Sequence, residues 1–151
     1  MKTDIVPFWK RLVFEEMTLQ QWESLCDGCG RCCLRKLQYE DTGEICYTNV
    51  ACRYLDIDLC RCRSYKDRAL KKPECLILTP ESLESNIHLL PDTCAYRLVA
   101  QGMDLPWWHP LVSGEKETVH QAMISVRSKV LSEDYVHDDQ MEEHIIDWVG
   151  K

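Results

Sequence analysis

Cys26-Asp27-Gly28-Cys29-Gly30-Arg31-Cys32-Cys33 decides how the rest of the chain is read. Two cysteines separated by two residues can turn their sulfurs toward one point. The neighbouring glycines let the backbone bend tightly enough to aim N–H groups at them. CDGCG has the form of a zinc knuckle. With Cys32 the run becomes C-x2-C-x2-C, the opening of a bacterial ferredoxin-type cluster run, although Cys33 follows at once and the closing C-x3-C-P is missing. The spacing therefore admits zinc and iron alike.

Outward from this run, thiols continue at Cys46, Cys52, Cys60, Cys62, Cys75 and Cys94. Ten cysteines in 151 residues is several times ordinary usage, yet below the roughly 8–10% of short secreted disulfide scaffolds. The start, MKTDIVPFWK, has no apolar run of signal-peptide length, and no segment approaches the ~20 apolar residues of a membrane span. A cytoplasmic protein is expected, and there a thiol-rich chain binds metal or does redox chemistry more readily than it forms disulfides. Ten thiols at about four per zinc or iron–sulfur centre allow one or two sites. The candidate ligands are Cys26, Cys29, Cys32, Cys33, Cys52, Cys60, Cys62, Cys75 and Cys94. Cys60 and Cys62 would share a face if their segment is a strand. Cys46, in the β-like run EICYTNV, is read as a small buried hydrophobe.

Length and composition fit one soluble domain, with 45% hydrophobic and 28% charged residues. The net charge of −7 argues against a general nucleic-acid binder. Charge is uneven: residues 1–80 hold 13 basic and 12 acidic side chains, residues 81–151 hold 5 and 13. Arg61, Arg63, Lys66, Arg68, Lys71 and Lys72 gather beside the cysteines. They either offset the charge of a thiolate–metal centre or form a solvated basic face.

Three regions follow: a helical lead over 1–25, a cysteine core over 26–94, and an acidic, cysteine-free tail over 95–151 packed on it. In the lead, Thr18 and Gln21 form a capping box ahead of a helix with Leu19, Trp22 and Leu25 on its apolar face. Loops and short strands are predicted up to Arg63, held by metal rather than by a large apolar core. Thr79-Pro80 reads as a helix start and Asp92 as the cap of a helix through Cys94 to Gly102. LPWWHPL, residues 105–111, reads as an ordered apolar loop. Alternation from Ile124 to Val130 suggests a strand, and Met141 to Val149 an amphipathic helix with Ile145, Trp148 and Val149 inward. The fold class predicted is a small α+β domain, mainly helical with short strands, stapled by metal.

The run CDGCGRCC, with NVACRYL, CRCRSY, Arg68, Cys75, TCAYRL and DLPWWHPL, resembles the YcgN-like family of uncharacterised bacterial proteins over nearly the whole chain. Over Cys26 to about Cys75 it resembles, more broadly, the CxxCxxCC cysteine-cluster families described as zinc- or iron-chelating. The broad motif matches Cys26, Cys29, Cys32 and Cys33, then Cys52 with Leu55, Cys62 with Tyr65 and Arg68, and Cys75. Cys60 and Cys94 match only the narrower pattern, and Cys46 matches neither. The resemblance implies cytoplasmic metal binding, with no settled reaction.

His109, between Trp108 and Pro110, could complete a Cys3His site but fits a hydrogen-bonded packing role better. Tyr65 and Arg68 either brace a thiolate site or simply pack. There is no G-x-S-x-G, no Gly-rich phosphate loop and no H-E-x-x-H, so an enzyme would have to work through redox chemistry. Three readings stand. One is a metal-binding module with zinc slightly ahead, one an iron–sulfur protein for electron transfer or redox sensing, and one a thiol oxidoreductase cycling C-x2-C.

Overall fold

The lead is broken by its own turn residues into short helical pieces. A computed structural model describes residues 6–71 and 77–149. The chain opens with α1 (Phe8–Arg11) and a 3-10 turn at Phe14–Glu16, and then α2 (Leu19–Ser24). The capping box at α2 forms as read: Thr18 Oγ1 accepts from Gln21 N at 3.1 Å and Gln21 Oε1 accepts from Thr18 N at 3.0 Å. Trp22 and Leu25 face inward, but Leu19 is 72% exposed, so the apolar face is narrower than its sequence suggests. Trp22 and Leu25 pack with Leu83 and Leu90 into one of two apolar clusters, bordered by Phe8, Phe14, Tyr96 and Leu111.

After the knuckle a 3-10 turn, Arg31–Cys33, leads into β1 (Leu34–Gln38), antiparallel to β2 (Ile45–Ala51). The register pairs Lys36 with Tyr47 and Gln38 with Ile45, with an irregularity between Leu34 and Lys36. β3 (Leu55–Asp56) and β4 (Arg61–Cys62) make a second, two-stranded hairpin. β5 (Leu131–Ser132) adds to β2 in parallel, giving the order β1-β2-β5. β2 is therefore central, and its Ile45, Tyr47, Thr48, Val50 and Ala51 are all buried. The remaining helices are short: α3 (Arg68–Lys71), α4 (Leu83–Asn86), α5 (Ala95–Ala100), α6 (Pro110–Ser113) and α7 (Thr118–Gln121). The result is a small mixed α/β domain rich in cysteine, with several one-turn helices around a small sheet.

The cysteine region shares an apolar cluster with the tail, where metal rather than a large apolar core is expected to hold it. Leu34, Tyr47, Ala51, Leu55 and Cys60 pack with Val126 and Val149 from the tail. At about 25 cal/mol per Å2 of buried apolar surface, the Leu and Val side chains among them each contribute on the order of 1.5–3 kcal/mol.

Several tail elements differ from their reading. Ile124 to Val130 is not a strand: Met123 and Ser128 take left-handed conformations at φ 62° and 65°, which interrupts any extended ladder. Backbone N–H groups there serve turns and the knuckle rather than a ladder, Lys129 donating to Val126 O at 3.0 Å and Val126 to Cys29 O at 2.9 Å. Met141 to Val149 is not an α-helix either. A 3-10 segment covers Asp138–His144, then the chain extends, bridging Ile145 to Thr48; Val149 is buried while Ile145 and Trp148 are half-buried. Thr79 and Ser82 exchange side-chain-to-backbone bonds in a turn, so α4 starts at Leu83 rather than beside Pro80. Cys94, not Asp92, precedes α5, because the turn closing from Cys94 N to Pro91 O leaves Asp92 exposed. Within LPWWHPL, Pro110 opens α6 with His109 as its cap, so the loop ends in a helical turn.

Candidate metal centre

The knuckle is held from both sides by the tail. Gly28 and Gly30 both sit at φ 77°, a left-handed conformation that glycine adopts without steric cost. Gly30 also lacks room for a side chain: a Cβ there would lie 2.9 Å from Val126 Cγ2 and 3.3 Å from Cys60 Cβ. Val126 N donates to Cys29 O at 2.9 Å. Arg31 is buried, donating from Nε to Ile124 O at 2.7 Å and from Nη1 to Thr93 Oγ1 at 3.2 Å, with its guanidinium 5.6 Å from the Trp148 ring centre. One cation thus joins the knuckle, the approach to α5 and the tail.

This arrangement gathers the thiols of Cys26, Cys29, Cys32 and Cys94. Cys26 lies close enough to Cys29, Cys32 and Cys94, and Cys32 to Cys29 and Cys94, for each to act on the other's ionisation, and the Asp27 carboxylate acts on all four. Cys29 is buried, Cys94 half-buried, and Cys26 and Cys32 are exposed. Burial pushes the Cys29 thiol well up, followed by repulsion from Asp27, Cys32 and Cys26. Burial likewise raises Cys94 to about 12. Cys26 also moves up, from the protein packed round its sulfur and then from Asp27. Cys32 moves the other way: the Cys33 thiol hydrogen-bonds to it and Lys36 adds positive charge. Backbone N–H groups oppose the rise at three sulfurs, from Gly28 toward Cys26, from Arg31 to Cys29 Sγ at 3.5 Å, and from Arg97 and Tyr96 at the start of α5 toward Cys94.

The chemistry of this set fits a cation. Four thiols and a carboxylate from two remote segments feel one another's charge, with N–H groups aimed at sulfur and, among the described residues, no cationic side chain hydrogen-bonded to the carboxylate. Asp27 is 6% exposed; its Oδ1 accepts from Cys29 N at 3.0 Å, while buried Oδ2 has no hydrogen-bond partner. Among the described residues no three His, Cys, Asp or Glu side chains already stand in a closed ligating set, so these groups are neighbours rather than a finished cage.

The other candidate cysteines fall elsewhere. Cys33 and Cys52 are joined by a backbone bond, Cys52 N to Cys33 O at 2.8 Å, and Leu55 N donates to Cys52 O while Leu55 pairs with Cys62. Cys33, Cys52 and Cys62 therefore occupy adjoining backbone. Cys60 and Cys62 do not share a strand face: Cys60 is left-handed at φ 57° and precedes β4, buried against Val126. Its neighbours are Ser125 and Arg127. Cys46 lies on β2, half-buried and beside Tyr39. Cys75 and Lys72 lie outside the described residues, and of Arg68 only the backbone is described. Tyr65 is exposed.

His109 is fully buried with both ring nitrogens engaged: Nε2 bonds Leu25 O at 2.7 Å and Nδ1 accepts from Leu111 N at 3.0 Å. With Nδ1 accepting, Nε2 carries the proton, which leaves no lone pair for a metal. Sequence reading missed Asp27, Arg31 and the closure by Val126. An acidic residue inside a C-x2-C pair was the available signal for the first; the other two depend on contacts about 90 residues apart. A separate cleft of about 490 Å3 is lined by Arg35, Arg53, Lys71, Glu133 and His137 and by no described cysteine. Among the described residues no helix is long and apolar enough to cross a membrane.

Residues 25–95 match a family model described as "CxxCxxCC: Putative zinc- or iron-chelating domain". The chain is 54% identical over 144 residues to a UPF0260 protein of Marinobacter nauticus, covering 95% of this chain and 97% of that one. It is 54% identical over 149 residues to one of Granulibacter bethesdensis, covering 99% and 88%, and 53% identical over 148 residues to one of Gluconacetobacter diazotrophicus, covering 98% and 91%. No solved structure matches the chain. Identity at this level across nearly the whole length places the chain in the UPF0260 family of cysteine-cluster proteins.

Proposed function

We propose that this protein holds a metal ion through the thiolates of Cys26, Cys29, Cys32 and Cys94, with zinc ahead of iron. What supports this reading is that Cys94, at the start of α5, lies near enough to Cys26 and Cys32 of the knuckle for their charges to interact: ligands from remote parts of the chain are what a metal needs to close a small fold. Thiols pushed up by burial ionise when a cation replaces their protons, so binding releases protons and adds to folding stability. Cys33, Cys52 and Cys62, with Cys75, supply donors for a second ion, which accounts for the surplus of thiols. The bound metal staples the fold and supplies no reaction in this reading.

Anaerobic purification followed by analysis for zinc, iron and acid-labile sulfide tests it, with an absorption spectrum of the same sample. About one or two zinc per chain, colourless, and loss of one equivalent in Cys29→Ser support the reading. Iron with stoichiometric sulfide would favour a redox cluster instead, as the C-x2-C-x2-C spacing allows. Metal-free protein would overturn both and leave thiol exchange at the Cys32–Cys33 pair, where the Cys32 thiol is drawn down.

A further inference from the structure

We propose that the cleft of about 490 Å3 at the end of the sheet binds a phosphorylated, hydroxyl-bearing small molecule, with Arg35, Arg53 and Lys71 on the phosphate. The site is independent of the metal reading above and follows from the topology. β2 and β5 run parallel, with Ala51 beside Ser132, so the chain leaves both strands at the same end and brings Arg53 next to Glu133. Arg35 arrives from β1, on the other side of β2. Glu133 ties the three segments together, with its side chain only 6% exposed. Its Oε2 accepts from Arg53 N at 2.8 Å, and its Oε1 accepts from Arg35 Nη1 at 2.9 Å and lies 3.8 Å from Arg53 Nη2. Two guanidinium groups are thus brought to one buried oxygen.

Burying a carboxylate is costly, and apolar side chains of similar volume in place of a buried ion pair are often as stable. What this carboxylate achieves is position: Arg35 and Arg53 line the cleft while their side chains stay 39% and 53% exposed. A guanidinium carries five N–H donors in a fixed fork, and a phosphate group matches such forks with two oxygens at a time. Lys71, exposed on the same cleft and bonded to Ser64 Oγ at 3.4 Å, adds a point charge. The lining is not simply basic, because Glu133, Asp134 and Asp138 balance the three cations. A bare anion gains nothing from Asp134 and Asp138, whereas hydroxyl groups can donate to them, since an ionised carboxylate only accepts. The volume is that of a small-molecule site and exceeds what a phosphate group alone fills. Both signs of charge are therefore used by a phosphate ester of a polyhydroxy compound, the class of the sugar phosphates.

The test is calorimetric titration of the whole 151-residue chain, in phosphate-free buffer at fixed ionic strength, with glucose 6-phosphate, glycerol 3-phosphate, inorganic phosphate and glucose. At least one ester should bind once per chain and about tenfold or more tighter than inorganic phosphate, and glucose should give no binding heat. Arg53→Gln and Lys71→Met should each weaken the ester by about tenfold or more, the loss of one charge-assisted hydrogen bond. Both variants should melt with the parent, because the buried bond to Glu133 uses the Arg53 backbone N–H and Lys71 is exposed. Ester affinity unchanged in both variants puts the ligand elsewhere and overturns the site. Inorganic phosphate bound as tightly as the esters overturns the hydroxyl contacts and with them the ligand class. Binding of both esters weaker than about 1 mM by the parent chain overturns the proposal whatever the variants do.

Discussion

Gly30→Ala and Gly28→Ala form a matched pair that isolates the closure of the knuckle by the tail. Both glycines sit at φ 77°, so both variants carry the left-handed cost of a Cβ, on the order of 1–2 kcal/mol. Around Gly28 there is nothing within 4 Å of the added atom, and the loss should stop there. At Gly30 the added carbon meets Val126 Cγ2 at 2.9 Å and Cys60 Cβ at 3.3 Å. Both atoms belong to buried residues of one apolar cluster. Overpacking of this kind costs about 1–3 kcal/mol more, so Gly30→Ala should lose about 2–5 kcal/mol in all. For a chain of this size that is a fall in melting temperature of roughly 4–20 °C, against roughly 2–8 °C for Gly28→Ala. Thermal and urea melts of both variants, purified alongside the parent, measure the difference directly. Equal losses at the two positions would refute the packing argument, because the backbone term is common to both.

His109→Leu should cost about 2–4 kcal/mol in urea denaturation by orphaning Leu25 O and Leu111 N, and should leave metal content unchanged; a lost metal equivalent would make His109 a ligand. Cys46→Ser should leave elemental stoichiometry intact, since Cys46 sits on β2 beside Tyr39 and outside the knuckle. Glu133→Gln should lose about 1–3 kcal/mol of stability, because the buried carboxylate bonds Arg35 Nη1 at 2.9 Å and Arg53 N at 2.8 Å; a neutral result in the melt would show the pair to be energetically idle. The Asp56 carboxyl is held below its ordinary value by the N–H of Leu59, then that of Asp58. Its contribution is therefore complete above about pH 4 and lost as pH falls through the lowered value. Subtracting the stability–pH curve of Asp56→Ala from that of the parent should show a difference that shrinks only in acid, and a constant difference would refute the assignment.

How far the sequence could be read depends on the range of the interactions. The capping box at Thr18, the glycine turn at Gly28 and Gly30 and the β-run at EICYTNV are local, and each formed where its residues indicated. The Ile124–Val130 alternation misled because periodicity records only which side chains could be buried. Two left-handed residues and bonds to neighbouring turns decided the backbone instead. Cys60 and Cys62 illustrate the same limit, since their i, i+2 spacing shares a face only if residue 60 is extended. The spacing of Cys26, Cys29 and Cys32 was legible as one neighbourhood. That Cys94 is electrostatically linked to it depends on where α5 begins relative to the knuckle.

The bonds from Arg31 to Ile124 O and from Val126 N to Cys29 O carry a consequence for synthesis. The knuckle leaves the ribosome first, and the residues that clamp it follow about 95 codons later. At roughly 5–20 residues per second, Cys26 to Cys33 spend on the order of 5–20 s as an unclamped, solvent-facing thiol cluster on every new chain. Under the metal reading proposed above, they would compete for cellular metal during that interval as a peptide does, and arrival of the tail would slow the exchange of whatever they hold.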